Sequence, residues 1–183
     1  MRRVLLHSPS EIGEGLTYET FDAGHMLGST SVLLEAVERG STTRLVFSGD
    51  VGRVNLPIIP DPEPCPHADY LIMESTYGDR LHTKLEHVSE KLMVVVNRTA
   101  GRGGKIIVPS FAVGRTQQLV LLLHELMDAH RIPPIPIFVD SPLAVNVTDV
   151  FRRHPECYDD QTRKFLTEGD DPADYRQPQD PAA

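Results

Sequence analysis

The sequence predicts an α/β chain made of two unlike parts, and three observations carry that reading. Up to about residue 80, short β-rich stretches follow one another with no long helical pattern among them. Beyond it, apolar residues at helical spacing alternate with short β-branched runs. That alternation implies parallel strands joined by right-handed helical crossovers, a Rossmann-like layer. The run EGDDPADYRQPQDPAA, from Glu168 to Ala183, has almost no apolar content and reads as a disordered tail. The organisation is therefore residues 1–78, residues 79–167 and residues 168–183.

The first part offers four strands: LTYETFD from Leu16, TSVLLEAV from Thr30, TRLVFSGD from Thr43 and DYLIMES from Asp69. Between the last two lies NLPIIPDPEPCPHA, Asn55 to Ala68. Its five prolines supply no amide donors to a ladder, so it should be irregular and wrap the surface. In the second part Thr83 and Glu86 form a capping box. Val88, Leu92, Val95 and Val96 then recur at helical spacing until Gly101, Gly103 and Gly104 stop the helix. KIIVPS from Lys105 reads as a short strand. A second helix runs from about Val113 to His130, with Leu119, Leu122, Leu123 and Leu126 on one face, and IPIFVD follows as a buried strand. A third helix opens at Ser141, a natural N-cap, with Pro142 as its first residue.

Composition narrows the function. With 26 acidic against 18 basic residues the net charge is −8, so there is no overall attraction to a polyanion and any nucleic acid must be held locally. Cys65 and Cys157 stand in no CxxC pattern, which argues against a disulfide framework or a cysteine zinc site and fits a reducing cytoplasm. The longest apolar runs, such as Leu119 to Leu123, are too short to span a bilayer, and MRRVLLHSPSEIG lacks the apolar core of a signal peptide. A soluble intracellular protein is expected.

Candidate chemistry starts at His25, in the bend of FDAGHMLGS. A lone turn histidine is most often solvated, but strand ends gather sites, and this one has company. The other strands end in polar residues: Asp50 after LVFSG, Glu74 after YLIM, Ser110 after KIIVP and Asp140 after IPIFV. Strand ends of α/β proteins converge on one rim, so these residues are candidates for a common cleft. An imidazole and a carboxylate at two strand ends supply part of a zinc shell. His124, His130 and His154 read as surface or packing residues.

Read in order, AGHMLGS, VFSGDVGR, MESTYGDR, IIVPSFAVGRTQQL and FVDSPLA resemble the β-CASP branch of the metallo-β-lactamase superfamily. That branch includes ribonuclease J and the endonuclease subunit of eukaryotic pre-mRNA 3′-end processing. The resemblance covers roughly residues 10 to 166. It implies part of a lactamase αββα sandwich, followed from Asp79 by part of the β-CASP insertion, which closes over the site and makes the RNA groove.

What the resemblance implies for single residues is specific. His25 matches a histidine bound to one zinc, and Asp50 matches a carboxylate that bridges two zinc ions. Glu74 in MESTYG matches an acidic residue that orients a histidine lying beyond this sequence. Two zinc ions would activate water and neutralise phosphoryl charge for in-line hydrolysis of an RNA phosphodiester. RNA would be held at Ser110 and at Arg115, near a helix start where the N-terminus itself attracts phosphate.

The departures from the family pattern matter as well. The family's HxHxDH motif, which provides most of the zinc ligands, has no match here; the nearest histidines, His82 and His87, sit at the start of a helix. The later histidine motifs are missing too. The expectation is the middle of a β-CASP enzyme, with zinc binding weak or absent and with strand edges free for self-association. Two other readings stay open: a scaffold that binds RNA or a partner protein without cutting, and a metallohydrolase of small esters or thioesters. A nucleotide-binding module is disfavoured, because no GxGxxG follows a strand and GGK at Gly103 precedes one.

Overall fold

The structure is a computed structural model that describes residues 4–81 and 86–167. Contacts divide the chain into two compact units, Met1–Arg80 and Leu81–Ala183. Thr83 of the expected capping box, His82 and the tail from Glu168 lie outside the described residues.

The first unit is a five-stranded sheet in sequential order: β1 (Ser10–Gly13), β2 (Leu16–Asp22), β3 (Thr30–Glu38), β4 (Ser41–Phe47) and β5 (Tyr70–Ile72). The strands through β4 pair antiparallel, and β5 returns parallel to β4. Four of these are the β-rich stretches read from the sequence; β1, short and mostly exposed, was not among them. A parallel return needs a long connection, and residues 48–69 provide it. Leu33 and Val46 face each other across β3 and β4 and are buried at 7% and 0% exposure. On the same surface Glu35 pairs with Arg44 at 2.6 Å.

The proline-rich loop is irregular, as its prolines dictate, but it does not merely wrap the surface. Leu56, Ile58 and Ile59 are buried, so the loop contributes apolar side chains to the first unit's interior. The edge strand β5 is the opposite case. Tyr70, Leu71, Ile72 and Met73 are each more than half exposed, and the sheet face beside them holds an apolar groove with Leu16, Leu34 and Leu45.

The second unit holds α1 (Glu86–Ala100), α2 (Arg115–Asp128), α3 (Pro142–Arg152) and α4 (Asp160–Thr167). Val96 of α1 and Leu126 of α2 meet Ile132 in one buried cluster, joined by Leu92, Leu122 and Leu123. A second cluster joins Val120, Val139 and Ala144. α3 begins as its sequence dictates: the Ser141 hydroxyl accepts the Ala144 amide at 3.2 Å, with Pro142 in the first turn. Gln117 ties the helices together, its side-chain amide donating to Ala112 O at 3.1 Å and to Thr148 Oγ1 at 2.9 Å.

Fold class is α/β as expected, with one difference in the second unit. KIIVPS and IPIFVD form no strand ladder; among the described residues of these two segments only an isolated bridge at Phe138 is present. Prolines explain part of this, since Pro109, Pro134 and Pro136 offer no amide hydrogen to a neighbour. Ile107, 90% exposed, has no covering layer of the kind a buried parallel strand requires.

Candidate metal centre and nucleic-acid interface

His25 lies in the bend that joins β2 to β3. Ser29 shapes this bend: its hydroxyl accepts the amides of both His25 and Met26 at 3.1 Å, and its carbonyl accepts the Ala23 amide at 3.1 Å. Asp22, the last residue of β2, accepts the Gly24 amide on Oδ1 at 2.8 Å. Gly24 has φ 58°, a conformation glycine adopts without strain.

Asp50 lies in the turn just after β4 and is exposed. Ser48 anchors that turn, taking the Ser31 hydroxyl on its carbonyl at 2.8 Å and donating its own amide to Ile72 O at 2.9 Å. The turns of His25 and Asp50 are joined through their backbones. Gly52 donates its amide to Ala23 O at 2.7 Å, and a Cβ built on Gly52 would stand only 1.6 Å from Gly24 O. Only glycine permits that approach.

Glu74, just past β5, closes the group. Its Oε1 accepts the Val51 amide at 2.9 Å, next to Asp50, and its own amide donates to Ser48 Oγ at 3.2 Å. The Thr76 hydroxyl, followed by the Val51 amide, holds this carboxyl below the usual carboxylate range; desolvation opposes them, and His25 adds a further lowering. Glu74 therefore braces the Asp50 turn in addition to any partner it finds elsewhere. His25, Asp50 and Glu74 thus share one edge of the first unit. Among the described residues, no group of three or more histidine, cysteine, aspartate or glutamate side chains is placed to hold a metal ion.

In the second unit, Ser110 and Asp140 line a cavity of about 720 Å³ between the extended segments and the α1 and α2 helices. Arg115 is the first residue of α2 and is exposed; no carboxylate among the described residues pairs with it. The helix has no side-chain cap and no acidic residue in its first turn, so its amide end and the guanidinium present positive potential together. Of the histidines set aside, His154 Nδ1 lies 2.8 Å from Glu156 Oε1, while His124 lies in α2 and His130 just past its end.

Comparison with known proteins joins the two units to one family. The Beta-Casp domain matches residues 116–181. Ribonuclease TTHA0252 of Thermus thermophilus is 33% identical over 169 residues, covering 90% of this chain and 38% of that protein. The RNase J-like protein of Methanocaldococcus jannaschii is 31% identical over 144 residues, 77% of this chain and 33% of that protein. The chain belongs to the β-CASP branch of the metallo-β-lactamase superfamily. A further relative, Endoribonuclease YSH1 of Candida glabrata, is 34% identical over 167 residues, covering 86% of this chain and 20% of that protein. The chain thus spans 38% or less of the length of these curated relatives.

A β-CASP protein implies metal ions, and the donors of His25 and Asp50 suit them, an imidazole and a carboxylate on turns held side by side. Sequence reasoning missed the glycine that makes this possible. The signal was present in SGDVG, where Gly52 follows Asp50 by two residues, a spacing at which a close backbone approach leaves its mark.

Proposed function

We propose that this chain contributes to a zinc-dependent metallohydrolase that cleaves RNA phosphodiester bonds, in RNA processing or decay. The observation that carries it is the Gly52 to Ala23 hydrogen bond at 2.7 Å, which places the His25 turn against the Asp50 turn. The names of the relatives, all ribonucleases, support the substrate class.

His25 would help hold zinc through its imidazole, and Asp50 through its carboxylate. These are two donors of a larger set, so the remaining ligands come from outside the described residues, in a longer protein of the relatives' length. In this account residues 1–78 are part of the lactamase domain and residues 79–167 part of the β-CASP domain. Bound there, the ions would ease deprotonation of water and neutralise phosphoryl charge. Glu74 holds the Asp50 turn through the Val51 amide and is available to orient a histidine acting as general acid. Ser110 and Arg115 would take RNA phosphates at the α2 start. We place the protein in the cytoplasm, on the strength of its free cysteines. Among the described residues no helix is long and apolar enough to cross a membrane.

The test is cleavage of a labelled single-stranded RNA by the longer protein, with and without a chelator. Cleavage that the chelator stops and zinc restores supports the proposal; cleavage indifferent to chelation contradicts it. The incomplete donor set favours a second reading, a scaffold that binds RNA or a partner without cutting. RNA binding with no cleavage under any metal would establish that one.

Self-association through β5 is proposed as well, because Tyr70, Leu71 and Ile72 are exposed on an edge strand and Met73 just after it. Light scattering should show species larger than one chain, reduced by Leu71→Lys. A clean monomer would contradict it.

A further inference from the structure

The proline-rich loop makes one contact that its composition does not require. Glu63 and Asp22 exchange hydrogen bonds: the Glu63 amide donates to Asp22 O at 3.0 Å, and Glu63 Oε2 accepts the Asp22 amide at 3.0 Å. The other carboxylate oxygen, Oε1, lies 3.0 Å from Nε2 of His7, whose ring stands edge-on to Phe21 at 5.4 Å. His7 in turn donates its amide to Thr20 O at 3.0 Å. A single carboxylate therefore joins the segment before β1, the end of β2 and the proline-rich loop.

Next to this junction, Pro62 lies directly against Gly24. A Cβ built on Gly24 would stand 2.4 Å from the Pro62 nitrogen, so the loop covers the residue before His25 with no space between. Gly52 closes on Gly24 from its own side, its hypothetical Cβ 1.6 Å from Gly24 O. The His25 turn is thus held between Gly52 and Pro62. An exposed glutamate on a loop is ordinarily a solvated side chain. Glu63 differs because both its oxygens are engaged and its backbone returns the bond. Burial raises the Asp22 carboxyl above its usual range; the Gly24 amide opposes this and the Glu63 charge adds to it.

We infer that Glu63 is a positioning residue for the site: it clamps Pro62 over Gly24 and so fixes the turn from which His25 reaches its metal. The inference rests on the assignment of His25 as a ligand. It adds a residue that touches neither metal nor RNA and that acts through the backbone of Asp22.

The experiment follows amide hydrogen exchange in this chain, and zinc affinity of the longer protein of the relatives' length by competition with a chromogenic chelator, in Glu63→Ala, Glu63→Gln and His25→Ala. In Glu63→Ala, exchange at Asp22, Gly24 and His25 should quicken roughly tenfold or more while Val46, in the sheet core, keeps its protection. Glu63→Gln retains an acceptor for the Asp22 amide and should restore most of that protection. If Glu63→Ala unfolds the unit and Val46 loses protection, Glu63→Asp, one methylene shorter, should loosen Asp22 and Gly24 alone. Zinc affinity should fall several-fold in Glu63→Ala, recover in Glu63→Gln and be lost in His25→Ala. Unchanged exchange at Gly24 and His25 in Glu63→Ala, or a glutamine that rescues nothing, would overturn the clamp. Quickened exchange with a zinc affinity that neither Glu63→Ala nor His25→Ala alters would instead overturn the ligand assignment and leave the clamp standing.

Discussion

Gly52 and Ala23 are joined by a 2.7 Å hydrogen bond from the amide of one to the carbonyl of the other, and this bond sets the turn after β4 beside the turn after β2. Because the contact is backbone to backbone, its side-chain requirement is negative: residue 52 must have no Cβ. Gly52→Ala would put a carbon 1.6 Å from Gly24 O, backbone that has Pro62 packed on its other side.

Gly52→Ala should therefore separate the two turns at a cost of several kcal/mol, on the order of 2–5. Thermal denaturation should show a Tm lower by about 5 °C or more, and metal affinity should fall with it. Gly28→Ala is the control, since a Cβ there meets nothing within 4 Å and the remaining cost is its φ of 82°. A Gly52→Ala variant as stable as the parent would mean the approach of the turns is looser than described.

In the proposed function Arg115 would bind RNA by charge alone. Its guanidinium has no carboxylate partner among the described residues and stands on an uncapped helix start. Arg115→Ala should weaken RNA binding similarly for all sequences and reduce the slope of log affinity against log salt by about 0.7–1. Cleavage under saturating RNA should change little. A salt slope that stays at the parent value would remove Arg115 from the interface.

Glu125 of α2 supplies a pH prediction whose sign is fixed by its surroundings. Burial first, and the Asp159 charge second, raise its carboxyl above the usual glutamate range. A raised folded value means the protonated acid's contribution to stability is complete below the unfolded value and is lost as pH rises through the folded one. Glu125→Gln should therefore be more stable than the parent at neutral pH, by about 1–3 °C in Tm, and indistinguishable from it in acid. Equal Tm values across the whole range would contradict the assignment.

The sequence made much of this legible where one physical rule acted alone. Leu16 to Asp22 and Thr30 to Glu38 are rich in β-formers and pair as strands; Ser141 and Pro142 start a helix because one caps it and the other lacks an amide hydrogen only where the helix needs none. His25 and Asp50 stood out as polar residues at strand ends, and Glu74 with them. What stayed hidden depends on contacts far apart in sequence. Nothing near Glu63 announces Asp22, 41 residues away, and nothing in PIIP announces that Ile58 and Ile59 are buried. KIIVPS and IPIFVD show the limit in the other direction. Their composition reads as buried strand, yet a strand needs neighbours with free amides and a covering layer, and prolines and exposure deny both here.

The central claim is that Asp50 belongs to a metal site that hydrolyses RNA, and one comparison tests it most directly. Labelled single-stranded RNA is incubated with zinc and either the 183-residue chain, the longer protein of the relatives' length, or that protein carrying Asp50→Ala. The account predicts cleavage by the longer protein only. Its rate should fall by three or more orders of magnitude, about 4 kcal/mol or more in barrier, when Asp50 is replaced. Folding of the variant is checked by its unchanged Tm, since Asp50 is exposed. Cleavage that survives Asp50→Ala at the parent rate would contradict the role assigned to Asp50 and, with it, the site built on the Gly52 and Ala23 contact.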